Sequence, residues 1–165
     1  MSCDRLLAHD AVLLHDPNQR VRIDATVALG QLGGPDATAL LVAKAASTDE
    51  RIVRIAALEA IETSRDPSAV PGVIDVFRSN RGQDDVVAQI GASEALLKIG
   101  APGVPQLLQA LNDSSAKVRE AVVEVLGKMG NPEVADRIAG LQADPDPAVQ
   151  RAVTSALAAL KGTKH

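Results

Sequence analysis

The chain has 165 residues, a formal net charge of −4 and a pI near 5.3; 46% of its residues are hydrophobic but only 1% aromatic. That length and apolar content suffice for one domain with its own core, while the acidic balance argues against general nucleic-acid affinity, which needs clustered Lys and Arg. Phe77 is the sole aromatic residue and Cys3 the sole cysteine, so the core must be aliphatic and no disulfide can close within the chain.

In residues 1–16 no basic stretch precedes an uninterrupted apolar run, so no signal peptide is read there. No apolar run approaches the roughly 20 residues of a membrane-spanning helix. A cytoplasmic protein without membrane contact is the expectation. Leu7, Ala11 and Leu14 share one face of a first helix within residues 4–15. Asp16 follows, placed to cap the next helix. That helix, NQRVRIDATVALGQLG (18–33), carries a stripe from anchor Val21 through Ala25, Ala28, Leu29 and Leu32, and Gly33 closes it. Pro35 opens the next helix, and DERIVRIAALEAIETS (49–64), anchored at Val53, repeats the stripe.

Pro67 starts the third pair, whose first helix shows Val70, Val73, Ile74 and Phe77 at i, i+3, i+4 and i+7. Residues 79–83, SNRGQ, read as an exposed loop inserted before DVVAQIGASEALLKIG (85–100), anchored at Ala88 and ended by Gly100. Pro102 begins the fourth pair, with Val104, Leu107, Leu108 and Leu111. After the candidate cap Asp113 comes SAKVREAVVEVLGKMG (115–130), with Val118, Val122, Val125, Leu126 and Met129. Pro132 begins the fifth pair, and Asp144 precedes DPAVQRAVTSALAALKG (146–162), anchored at Val149. Anchors thus recur at intervals of about 30–35 residues, one helix–turn–helix unit each. The prediction is all-α: ten helices in five pairs, about 4–32, 36–64, 67–99, 102–130 and 132–161, forming a single repeat domain over 1–165.

The pattern Asp-x-x-x-x-Val-Arg-x-x-Ala-x-x-Ala-Leu-Gly-x-x-Gly stands here as Asp16, Val21-Arg22, Ala25, Ala28-Leu29-Gly30 and Gly33. It recurs as Asp113, Val118-Arg119, Val125-Leu126-Gly127 and Gly130. Nearly the whole chain resembles HEAT repeats, especially the short HEAT-like repeats of the phycobilisome lyase type. The resemblance implies a right-handed α-solenoid with the second helix of each pair lining a concave groove. It also implies an Asp–Arg hydrogen-bonded ladder through the turns: Asp16 with Arg22 and Asp113 with Arg119. The ladder is altered at Thr48 with Arg54 and Asp144 with Gln150, and replaced by Gln83 and Gln89 in the third repeat. Asp10 and Arg137 stand where the middle outer helices carry Val42, Val73 and Leu107, either as polar ends of a capped solenoid or as charges that snorkel from a partly buried position.

Catalytic chemistry finds little to build on. His9 and His15 lie six residues apart and point to different helix faces; a metal site needs three or four convergent groups. Cys3 has no neighbouring basic or histidine activator. Gly-x-Ser-x-Gly and phosphate-binding glycine loops are lacking. The expectation is a chain that is no enzyme, with no catalytic residues, no metal and no cofactor. Its function is sought in the second helices, at registers facing the implied groove. Ile23, Ile55 and Ile90 stand at +2 from the anchors, joined by Val27, Ile52, Val86 and Val87. Glu59, Glu94 and Glu124 stand at +6, extended by Glu120. Aliphatic groups at solvent-facing registers of successive repeats make a binding surface; the same +2 positions are also placed to pack against a neighbouring helix. The first reading is an adaptor whose groove takes a helix or extended segment of another protein, apolar with some basic character, and neither nucleic acid nor membrane. The alternative is a subunit or chaperone-like component of a phycobilisome-type chromophore lyase.

Overall fold

The computed structural model describes residues 3–78 and 83–162, without the side chains of residues 3, 4 and 83–85. Among them are ten α-helices and no strand: α1 (Cys3–Leu13), α2 (Gln19–Leu32), α3 (Pro35–Ala46), α4 (Arg51–Ser64), α5 (Val70–Arg78), α6 (Gln83–Ile99), α7 (Val104–Ala110), α8 (Ala116–Met129), α9 (Ala135–Ala139) and α10 (Pro147–Gly162). The five predicted pairs are all present. The inserted loop lies outside the described residues except for Gln83, whose backbone begins α6. The predicted first turns of the last three pairs are 3₁₀ turns, Pro67–Ala69, Ala101–Gly103 and Pro132–Val134. Each has a proline at its start, where a missing N–H costs nothing. The single repeat domain drawn from sequence divides into two compact units, Met1–Ile99 and Gly100–His165.

In the first unit α2, α4 and α6 pack side by side, and α1, α3 and α5 pack against them. The sequence stripe is what this layer buries: Ala25 and Leu29, then Val53, Ala57 and Ile61, then Ala88, Ala92 and Leu96, each at most 3% exposed. Each fully buried Leu or Ile contributes about 1.5–3 kcal/mol. Small residues at facing positions set the spacing. A Cβ on Gly30 would lie 2.8 Å from the Ala60 Cβ, so α2 and α4 approach more closely than a second alanine allows. The second unit repeats the device: a Cβ on Gly127 of α8 would lie 2.7 Å from the Ala156 Cβ of α10.

The turns correct one expectation. Asp16, Asp113 and Asp144 do not cap the following helices; they sit at turns just before them. Their carboxylates accept the N–H two residues on, of Asn18, Ser115 and Asp146, at 2.7–2.9 Å. A short Asp side chain readily makes such a turn. Asn18 caps α2 instead, accepting the Arg20 N–H at 2.9 Å, and Asp146 accepts the Ala148 N–H at the start of α10. At helix ends Gly33, Gly100 and Gly130 have φ near +70°, as the sequence pattern requires. The second repeat has no glycine there, and Arg65 takes the left-handed conformation at φ 52°.

Candidate functional site

The candidate strip is built by three helices of the first unit. Gly30 of α2 faces Ala60 of α4, and Gly91 of α6 faces Leu58 of α4, so α4 lies between α2 and α6 in this layer. Of the aliphatic candidates, Ile52 and Ile90 are each 54% exposed, Val86 52%, Val27 46% and Val87 41%. They are five of the six large hydrophobic side chains exposed among the described residues. Ile23 and Ile55 are half-buried, so both readings of the +2 register hold in part. Ile52, Ile55 and Val87 line one open depression together with Glu50 and Arg51, two residues the sequence reading left out.

Glu59 and Glu94, at +6 on α4 and α6, are exposed beside this strip. Lys98 lies 3.8 Å from Glu62 of α4. Glu120 and Glu124 belong to α8 in the second unit. There Glu120 is half-buried; burial, reinforced by Glu124 and Asp146 and opposed by Arg151, raises its carboxyl above the ordinary range. The sixth exposed apolar side chain, Val12 of α1, is 72% exposed and was not predicted. A further open depression on the first unit is lined by Leu7, Ala8, Ala11, Asp36, Ala39 and Leu40. Its alanines fit the buried stripe as well as an open face, so periodicity carried no signal for it.

The ladder exists, with a different partner rule. Arg22 Nη1 donates to the backbone carbonyls of Asp16 at 2.8 Å and Pro17 at 3.2 Å. Its Nη2 donates to Asp49 Oδ1 at 3.0 Å and to Glu50. Arg119 Nη1 likewise binds the Asp113 carbonyl at 2.8 Å, while Nε and Nη2 hold both oxygens of Asp144 at 2.7 and 2.8 Å. Each arginine therefore takes a carbonyl from its own turn and a carboxylate from the next. Gln150 keeps only the carbonyl contact, to Asp144 O at 2.7 Å. Arg54 is buried at the equivalent position. The acid of the second repeat is Asp49, one residue beyond Thr48, and Lys44 Nζ also binds it at 3.0 Å. In the third repeat the Gln83 side chain lies outside the described residues, and Gln89 is half-buried.

These contacts shift the acids downward. Hydrogen bonding by Arg119 outweighs burial and holds Asp144 below the usual carboxylate range. Burial pushes Asp49 up, but hydrogen bonds with Glu50, Lys44 and Arg22 bring it well below that range. The guanidinium of Arg119 is raised in turn, chiefly by its bonds to Asp144.

Residues 11–96 and 104–164 match the HEAT repeats family. The chain belongs to the HEAT repeat family. It is 31% identical over 113 residues to the phycocyanobilin lyase subunit beta of Nostoc sp. strain PCC 7120, covering 68% of this chain and 54% of that protein. It thus spans about half the length of this curated relative. The structure of the complex of CpcE and CpcF of phycocyanin lyase from Nostoc sp. PCC7120 is similar in fold, with a TM-score of 0.55 and 21% identity. That match covers 98% of this HEAT chain and 66% of the other. The relative corrects the expectation that the chain is no enzyme: its counterpart is a named subunit of a lyase. A subunit of such an enzyme need not carry a complete catalytic constellation, so the lack of one in this chain does not exclude the relation. Among the described residues no helix is long and apolar enough to cross a membrane.

Proposed function

We propose that this HEAT repeat chain is a component of a lyase-type assembly and that the aliphatic strip of its first unit holds a partner polypeptide. One observation carries the reading: Val27, Ile52, Val86, Val87 and Ile90 are exposed on the packed helices α2, α4 and α6, off the buried stripe. Exposed apolar groups concentrated on one face mark contact surfaces. The naming of the relative as a lyase subunit, and the two-component complex of the similar fold, support a partner protein.

Ile90→Asp tests the reading more cleanly than Ile55→Asp, because Ile55 is half-buried and its replacement strains the fold as well. Ile90→Asp puts an unpaired charge into any dry contact formed there. Wild type and Ile90→Asp are used as baits in quantitative affinity capture, with thermal melts alongside. A partner retained by wild type and lost by the variant at unchanged melting temperature is the expected result. Equal capture by both baits removes the strip from the function. A phycocyanobilin titration of the chain alone then separates a chain that holds the chromophore itself from one that holds only a polypeptide.

A further inference from the structure

The charges bordering the strip specify its occupant further, on the assumption that the strip is a docking surface as proposed above. The +2 row of Ile23, Ile55 and Ile90 crosses α2, α4 and α6. On one side, three residues back along the helices, lie Ile52 and Val87, with Arg51 beside them. Glu50 on that side is already bonded to Arg22. On the other side, four residues forward, lie Val27, Glu59 and Glu94, all exposed. The strip thus has an apolar floor, one side formed by Ile52 and Val87 with Arg51, and one side with two carboxylates on adjacent helices.

Packed helices lie about 8–10 Å apart, so Glu59 and Glu94 present their charges at about that interval. An α-helix laid across the row repeats its own face every seven residues, a rise of about 10.5 Å. Two interhelical spacings, about 16–20 Å, equal about 11–13 residues of such a helix. We propose that the strip binds an amphipathic helix of about four turns whose apolar face covers the isoleucine row and whose one flank carries Lys or Arg at i and i+7, opposite Glu59 and Glu94. A second copy of this chain docked with its helices in the same sense is a poor occupant, because its strip would bring the same carboxylates against these. An anionic lipid surface is disfavoured for the same reason.

The probes are three synthetic helical peptides of about 14 residues with one leucine-rich face. They differ only at i and i+7 on one flank, carrying two Lys, two Gln or two Glu. Each is titrated by calorimetry into the full chain, into Ile90→Asp and into the double variant Glu59→Lys with Glu94→Lys, after circular dichroism melts of all three proteins. The Lys peptide should bind about tenfold more tightly than the Glu peptide, as expected of two exposed ion pairs set against two repulsions. The double variant should reverse that order, and both preferences should shrink as salt rises from about 0.05 M to about 0.5 M. Ile90→Asp should weaken all three peptides. If Ile90→Asp weakens them but flank charge makes no difference, the basic-helix assignment fails and the docking strip stands. Should no peptide bind, or Ile90→Asp bind them all unchanged, both fail. Sedimentation showing a wild-type dimer that Ile90→Asp dissolves would assign the strip to a second copy instead.

Discussion

The two units contain the same ladder, and they hold it differently. In the first, Asp49 is shared by Arg22 and Lys44, and Arg22 also reaches Glu50, whose side chain is 54% exposed. In the second, a single arginine grips a single acid through both oxygens, and the Asp144 side chain is only 3% exposed. A shared acid tolerates the loss of one cation; an exclusively paired, buried acid does not. The outward faces differ as well. The first unit exposes aliphatic side chains on α2, α4 and α6, whereas α8 of the second has Glu120 at the +2 register that Ile23, Ile55 and Ile90 hold in the first. One repeat pattern therefore supports two surface chemistries, because the stripe that makes the core leaves that register free.

The largest contrast should come from the ladder. Arg119→Ala leaves Asp144, among the described residues, with the Asp146 N–H as its remaining partner, and should destabilise the chain by about 2–3 kcal/mol. Arg22→Ala leaves Asp49 with Lys44 and should cost distinctly less. Urea unfolding of both variants measures this, and equal losses would abolish the distinction between the units. An acid titration of stability sharpens it. Asp144 has a folded pKa below its unfolded one, so its contribution is present above the unfolded value, about 3.9, and is lost as pH falls through the folded value. Asp144→Asn should lower the melting temperature at pH 7 and flatten its decline below about pH 4. A parallel decline in wild type and variant would show that Asp144 does not govern the acid limb.

The smallest effect has the opposite sign. Glu120 has a raised folded pKa, so its favourable contribution is present in acid and is lost as pH rises through that value. Glu120→Gln should stabilise the chain at pH 7 by a few tenths of a kcal/mol, discounted because the group is partly solvated. Differential scanning calorimetry at pH 7 and near pH 4 should show the gain at the higher pH only. A gain of equal size at both would trace to the amide itself and not to charge.

The architecture was legible because helix pairing rests on local periodicity. The stripe from Val21 to Leu32, repeated from Val53, Ala88, Val118 and Val149, has one helical face to bury, and glycine and proline mark where each helix stops and the next begins. The exposed members of the strip were legible for the complementary reason, since they stand off that stripe. The enzyme expectation rested on the lack of a catalytic motif, and the relative, a named lyase subunit, overturns it.

Taken alone, the amino-acid order determined the helix pairs, their period, the aliphatic core and the registers left outside it, all consequences of local apolar spacing and of its recurrence along the chain. Tertiary packing alone decided the rest. It chose the next turn's acid as the partner of Arg22 and Arg119, because adjacent repeats bring residues 25–28 positions apart within hydrogen-bond distance. It half-buried Ile23 and Ile55 while leaving Ile90 open, although all three share one register. It also set Gly30 against Ala60 and Gly127 against Ala156, where the distance between helices, and no local preference, excludes a larger side chain.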